Sequence, residues 1–300
     1  MHGRAAPGPA RHFLHCRQLE TDMTIDASAK PVSLAEELGQ IEARIRQKPN
    51  DADLRAHLFQ ILALLGDWQR AQAQLQLCLT LNPDAISLVR GYGSALKAEL
   101  VRAAVFAGKA VPQLPNDPPA WLPQLVEALH HDVQGRHAEA SVLRDAAWAL
   151  APVAAGILLS HDGAGPQPYQ WLADGDSRFG PVLEFFAGER YHWLPLSSVA
   201  GLRLSRPISR CDLVWAHAAL TLHDGSETAV ILPVRYPLPA QPAALPQDEC
   251  LLSRYTEWEP LGGDGHYQGR GQRMWASDQN EYALLDLAGL QATAEVTAHA

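Results

Sequence analysis

From Val153 to the end of this 300-residue sequence there is no lysine. Nine arginines stand there against 17 acidic residues, which places −8 of the chain's net charge of −9 in that half. A nucleic-acid-binding face neutralises phosphates with clustered cations, so a balance of this sign excludes that class of partner. The arginine preference has two readings. One is a surface built on planar guanidinium forks; the other, which carries more weight, is a coding bias toward Arg and Ala. Cysteine is scarce and scattered: Cys16, Cys78, Cys211 and Cys250 form no CxxC pair. That excludes a zinc knuckle or dithiol redox motif and argues against a disulfide framework. A reducing, cytoplasmic setting fits. Long apolar runs are missing too. The longest, Ala146 to Leu159, is interrupted by Pro152 and falls short of the ~18 residues a membrane helix needs. Arg4, Arg11 and Arg17 are followed by no apolar segment, so no secretory signal is read there. Neither a G-x-S-x-G elbow nor a local Cys–His signature occurs.

What is present suffices for two cores. The chain is 47% hydrophobic and 19% charged, the balance of a folded protein, and its length suggests about two domains. Residues 1–31 show no periodicity and are expected to be a disordered extension. Met23 opens a more ordinary sequence, so 1–22 read as an upstream addition. Ser33, followed three residues later by Glu36, predicts a capping box. Leu34, Leu38, Ile41 and Ile45 then recur at helical spacing. Leu54, Leu58, Ile61, Leu62 and Leu65 form a second stripe, Gly66-Asp67 a break, and Ala71, Leu75, Cys78 and Leu79 a third, ended by Asn82-Pro83. This is an αα-hairpin, and Pro49 to Pro83 spans the tetratricopeptide period. Gly135, Ala140, Ala147 and Pro152 repeat Gly66, Ala71, Cys78 and Pro83 at an offset close to two periods. Between the copies lie one helix, roughly Ala85 to Ala107, and a Pro-rich connector, Val111 to Pro119.

The texture changes across 153–168, where His161-Asp162-Gly163-Ala164-Gly165-Pro166 has the composition of a surface linker. The expected class is α+β in two domains: tetratricopeptide-like repeats over 32–155, then an antiparallel β-rich domain over 168–290, with a small barrel as one arrangement of its strands. Two clear repeats are fewer than a stable solenoid needs, so the helical part is expected to pack on the second domain. Leu213–Leu222 and Ala229–Tyr236 read as a hairpin around Asp224-Gly225. Tyr191–Leu196 and Val199–Leu204 read as another strand pair and Phe179–Ala187 as a short helix. Pro237 to Gln247 reads as a loop, and Ala283–Leu287 as a last short element before fraying begins past Leu290.

Several groups of residues suggest chemistry. Asp174-Gly175-Asp176-Ser177-Arg178 sets two carboxylates beside a guanidinium. A calcium loop needs a third oxygen ligand where Arg178 stands, so an Asx turn locked by an Asp–Arg pair is preferred over a metal or phosphate site. Gly269-Arg270-Gly271-Gln272-Arg273 lacks the third glycine of a phosphate loop and is expected to be a tight turn using one Arg structurally. His130, His131 and His137 do not share the i, i+4 face of a zinc site and are expected to face solvent or cap helices. Glu257, Glu259 and Asp264 offer an acid/base pair no more than any surface loop does. Trp171, Trp193, Trp215, Trp258 and Trp275 are read first as core, second as an interface or ligand box.

Taken in order, the C-terminal blocks resemble the ImpE family, also called SciE-type or TagJ-type. They are Trp171-Leu172-Ala173-Asp174-Gly175-Asp176-Ser177-Arg178-Phe179-Gly180-Pro181-Val182-Leu183-Glu184, Arg190-Tyr191-His192-Trp193-Leu194-Pro195, Asp212-Leu213-Val214-Trp215 and Pro233-Val234-Arg235-Tyr236. Arg254-Tyr255-Thr256-Glu257-Trp258, Gly271-Gln272-Arg273 through Asp278, and Leu284-Leu285-Asp286 follow. Cys211 departs from the arginine often found there in the family. The resemblance implies a non-enzymatic accessory protein of a bacterial type VI secretion system, with no cofactor and no metal. It implies binding to the N-terminal helix of the small contractile-sheath subunit, and an indirect link to the ClpV-type recycling ATPase. The motif residues it carries over are Trp171, Asp174, Asp176, Arg178, Trp193, Trp215, Arg235, Trp258 and Arg273, as core or as binding surface. Two rivals remain: a ligand-binding or hydrolytic domain built on Asp174, Asp176, Arg178 and Arg273, and a purely structural domain.

Overall fold

A computed structural model describes residues 32–238, 247–262 and 265–293. The expected N-terminal extension, most of the Pro237–Gln247 loop and Asp264 lie outside them. The chain divides into two compact units between Gly93 and Ser94.

The first unit holds α1 (Leu34–Gln47), α2 (Ala52–Leu65), α3 (Trp68–Leu81) and the start of α4 (Ile86–Phe106). Each boundary has a local cause. Ser33 and Glu36 close the reciprocal capping box of α1, and the Asp51 carboxylate accepts the first free N–H groups of α2. Gly66 ends α2 at φ 74°, a left-handed conformation that costs glycine little, and Asp67 caps α3. Ala71 and Leu75 are fully buried and Cys78 nearly so, where α2 and α3 pack together. The short side chains of Ala71 and Cys78 let the two helices approach closely.

The second unit contains the rest of α4, the hairpin of α5 (Trp121–Val133) and α6 (His137–Leu150), a short α7 (Asp248–Leu251) and the sheets. Gly135, at φ 73°, makes the α5–α6 turn, and Ala140 and Ala147 are fully buried between the helices. Among the described residues there are thirteen strands: β1 (Gly156–Ser160), β2 (Gln167–Tyr169), β3 (Leu172–Asp174), β4 (Val182–Ala187), β5 (Arg190–Pro195), β6 (Val199–Leu204), β7 (Trp215–Leu222), β8 (Glu227–Pro233), β9 (Thr256–Pro260), β10 (Tyr267–Gly271), β11 (Met274–Ser277), β12 (Glu281–Ala283) and β13 (Leu287–Ala292). Eight form one antiparallel sheet in the order β2-β1-β13-β6-β7-β8-β4-β5; β12-β11-β3 and β10-β9 form two smaller ones. The large sheet is open, so its strands do not close into a barrel. Its core includes Leu158, Leu202, Leu220, Leu232 and Leu290, all nearly fully buried, each worth roughly 1.5–3 kcal/mol of transfer free energy. One edge is short and carries Pro168. The other, β5, is covered by the connector: the Gln113 N–H donates to the Tyr191 carbonyl (2.8 Å) and the Trp193 N–H to the Gln113 carbonyl (3.0 Å). Both devices leave few unpaired edge groups.

Three expectations change. Phe179–Ala187 is not a helix; Val182 to Phe186 are all buried in β4, and so short an apolar run has no period that separates helix from strand. Nor do β5 and β6 pair with each other: β5 pairs with β4, and β6 lies between β7 and β13. Past Leu290 the chain does not fray at once, because β13 runs to Ala292 against β1.

Two glycines with similar positive φ test how backbone approach differs from backbone strain. At Gly271 (φ 97°) an added Cβ meets the Tyr255 carbonyl oxygen at 2.1 Å, whereas at Gly225 (φ 83°) it meets nothing within 4 Å. Gly225→Ala is expected to cost about 1–2 kcal/mol, the left-handed penalty alone. Gly271→Ala costs more than that, because a strand backbone must shift as well. Urea-denaturation midpoints compare the two directly; equal losses contradict the argument.

Candidate functional site

Asp174 ends β3, and the next six residues fold into a loop stapled by its own acids. The Asp176 N–H donates to Asp174 Oδ1 (2.9 Å). Asp176 in turn accepts from the Arg178 N–H and Nε (both 2.9 Å to Oδ1), from Arg178 Nη2 (2.6 Å) and from the Gly269 N–H (2.9 Å). Two glycines stand where indoles lie on the loop. An added Cβ at Gly175 meets Trp258 Cη2 at 2.7 Å, and one at Gly180 (φ 54°) meets Trp148 Nε1 at 2.4 Å.

Beneath the loop the charges continue inward. The Arg273 guanidinium donates to both Asp174 and Glu184. Glu184, on β4, also accepts Arg102 Nε at 2.9 Å and Nη2 at 2.5 Å, and the Tyr191 hydroxyl at 2.5 Å. Arg102 sits on α4 one turn from Glu99, whose carboxylate accepts Trp215 Nε1 at 3.1 Å. Arg102 Nη2 reaches the Arg235 carbonyl (2.8 Å), and Arg235 Nη1 the Leu251 carbonyl (2.7 Å). Trp193 Nε1 donates to Tyr191 Oη at 2.5 Å, and Tyr236 Oη to Asp174 Oδ1 at 2.9 Å. The Arg273 guanidinium lies 4.7 Å from the Phe179 ring centre and 5.1 Å from that of Tyr236, within cation–π range.

Four acids (Glu99, Asp174, Asp176, Glu184) and four arginines (Arg102, Arg178, Arg235, Arg273) thus balance in a region nearly sealed from solvent. Burial pushes the Asp174 carboxyl up to about 6, against the pull of Arg273. It lowers Arg235 to about 10 and lowers Arg273 as well. Burial, then the Asp174 carboxylate, raises Tyr236 well above the usual phenol. Desolvation of this kind is what mutual pairing has to offset.

The nine motif residues therefore separate into three groups. Asp174, Asp176, Arg178 and Arg273 converge. Trp193, Trp215 and Arg235 are buried around them, as is Trp275. Trp171 and Trp258 keep 41% and 38% of their surface exposed, so core packing does not hold for all five indoles. Glu99 and Arg102 belong to the same network without having been singled out, and Glu184, Tyr191 and Tyr236 join it from inside the family-like blocks without standing among the nine motif residues. Their signal was available: charged residues inside otherwise apolar runs, Ala95 to Phe106 and Val182 to Phe186. The segment Gly269–Arg273 is not a tight turn. It lies in β10 and the link to β11, where glycine lets Tyr236 press within 2.2 Å of a Cβ position at Gly269. Arg270 pairs outside with Glu259 at 2.9 Å. His130 and His131 are half-buried, not solvent-facing, and His137 pairs with Asp132 at 3.1 Å. Among the described residues no three His, Cys, Asp or Glu side chains gather as metal ligands. The motif loop also walls a cavity of about 440 Å³ bordered by Trp148, Val153, Trp171 and Tyr267.

Removing one member of the network leaves its partners charged and buried. Arg273→Met is expected to cost roughly 3–5 kcal/mol in urea denaturation. Arg203→Ala, which breaks an exposed pair with Glu227, should change the midpoint little. Equal effects show that burial is not what makes the network matter.

Three likenesses to known proteins follow this geometry. Residues 166–291 match the ImpE protein family, a span that begins at β2 and ends within β13. The chain is 38% identical over 257 residues, 86% of each protein, to the type VI secretion system accessory component TagJ of Pseudomonas aeruginosa PAO1. A crystal structure of protein VPA1032 from Vibrio parahaemolyticus shares the fold, with a TM-score of 0.77 at 23% identity, covering 88% of this chain and 95% of that one. The chain belongs to the ImpE family, alongside the TagJ accessory component of type VI secretion.

Proposed function

We propose that this protein is a non-enzymatic adaptor of a type VI secretion system that binds the small contractile-sheath subunit through that subunit's N-terminal amphipathic helix. Through the sheath it bears on assembly or on ClpV-dependent recycling. The observation that carries the reading is the 38% identity to TagJ along 86% of both chains, a relative named as an accessory component. The geometry is compatible with it. The motif's acids and arginines are consumed in pairing one another, which suits a scaffold. No helix among the described residues is long and apolar enough to cross a membrane.

The rival reading, a ligand-binding or hydrolytic domain on Asp174, Asp176, Arg178 and Arg273, has one observation in its favour. These groups converge, and Asp174 borders the cavity with a raised pKa, a combination found at functional sites. Its oxygens are engaged, however: Oδ1 accepts from Asp176 and Tyr236, and Oδ2 from Arg273. A general acid or base needs an oxygen within reach of substrate. The adaptor reading is the stronger.

The test is a fluorescence-anisotropy titration of the full chain with a labelled peptide of the sheath subunit's N-terminal helix. Saturable binding is expected. Failure of both the peptide and the intact sheath subunit to bind sinks the adaptor function.

A further inference from the structure

We infer that the cavity walled by the motif loop is a binding site for a small molecule that is flat, aromatic and uncharged and carries a carbonyl oxygen. This goes beyond the adaptor reading and does not depend on it.

The cavity lies wholly within the second unit. Its volume of about 440 Å³ falls inside the range of small-molecule sites. Four of its lining residues are aromatic: Trp148 from α6, Tyr169 from β2, Trp171 between β2 and β3, and Tyr267 from β10. Trp171 and Tyr267 keep 41% and 45% of their surface exposed, so two of the rings stand at its open side. Aromatic walls favour a flat ring over an aliphatic chain, because stacked and edge-to-face contacts add to the area buried. The walls are already in place before a ligand arrives. Hydrogen bonds within the motif loop fix Asp174 to Arg178, and Trp148 lies against Gly180, where a Cβ would meet its indole. Preorganisation of this kind lowers the entropic cost of binding.

Charge excludes ions of either sign. No Lys, Arg or His lines the cavity among the described residues, so an anion finds no partner. The one acid at its border, Asp174, already has both oxygens engaged, Oδ1 by the Asp176 N–H and the Tyr236 hydroxyl and Oδ2 by Arg273. A cation would have to compete with a buried guanidinium for it. An ion entering the cavity would lose hydration without gaining a counter-charge, and an uncharged molecule escapes that penalty.

Two buried hydroxyls supply the specificity. Tyr169 is 4% exposed, and its hydroxyl makes no hydrogen bond to another described residue. Burial alone pushes this phenol up to about 12, so it keeps its proton at any ordinary pH and remains a donor. Gly156 stands opposite it on β1, and the absent Cβ, which would lie 2.4 Å from the hydroxyl, leaves the ring its place. Ser177, 5% exposed, accepts the Tyr267 N–H at 2.9 Å and donates to no described residue. A buried donor without an acceptor is costly. Both lining hydroxyls thus offer protons and the only carboxylate is spent, which selects a ligand that brings an acceptor. A carbonyl oxygen on an aromatic frame meets both demands.

The test uses the full chain and prodan, an uncharged naphthyl ketone whose fluorescence shifts to the blue in apolar surroundings. Saturable one-to-one binding with that shift is expected. Trp171→Ala should weaken it about tenfold, and Ala154→Phe, which sets a ring into the cavity wall, should abolish it. Tyr169→Phe should weaken prodan binding roughly three- to tenfold, the worth of one hydrogen bond. The same variant should leave binding of ketone-free dimethylaminonaphthalene unchanged, and the thermal midpoint too, since the hydroxyl has no protein partner to lose. No saturable binding, or a folded Ala154→Phe variant that binds like the parent, overturns the site. Equal loss of both dyes in Tyr169→Phe overturns the carbonyl. Tighter binding of the anionic anilinonaphthalene sulfonate than of prodan overturns the uncharged class.

Discussion

Glu184 holds the second unit to a single geometry. Its carboxylate lies on β4, buried from Val182 to Phe186, and accepts from Arg102 on α4, Arg273 beyond β10 and Tyr191 on β5. Left alone, that charge would cost several kcal/mol to desolvate. The arginines face the same penalty. Each group is tolerable only because the others are in place, so helix, sheet and small strands are placed together or not at all. A pair of this kind adds little net stability over an apolar isostere, and its value lies in fixing which surfaces meet.

The outer end of this network shapes the protein's surface. Arg273 reaches from Glu184 to Asp174, and Asp174 orders the backbone at Asp176, whose carboxylate clamps Arg178 and Gly269. Buried charge is thereby converted into a stiff loop on which Trp148 and Trp258 lie. The same loop is one wall of the apolar cavity. Residues that read as chemistry in the sequence are thus spent on one another inside the fold, while Trp171, Tyr267 and Val153 beside them stay exposed.

The helices were legible one by one because their signals are local. A capping box at Ser33, a left-handed glycine at Gly66 and apolar residues at helical spacing need no knowledge of distant residues. The β7–β8 hairpin was legible for the same reason, since Asp224-Gly225 sets its turn. Strand order was not. β4 joins β8 across forty residues and β13 returns to lie between β1 and β6, and nothing in a short apolar run names its partner.

The ion network divides the same way. The sequence by itself determined that acids and arginines cluster around Asp174 and Arg273, and that the C-terminal half is acidic, because composition and motif order are properties of the chain. Only the tertiary structure decided that Glu99 and Arg102 belong with them, eighty residues ahead of Glu184. It alone decided that Trp193 and Trp215 turn inward while Trp171 and Trp258 stay at the surface. Burial is a relation between distant segments, and the ionisation and exposure of each side chain follow from what the fold packs against it.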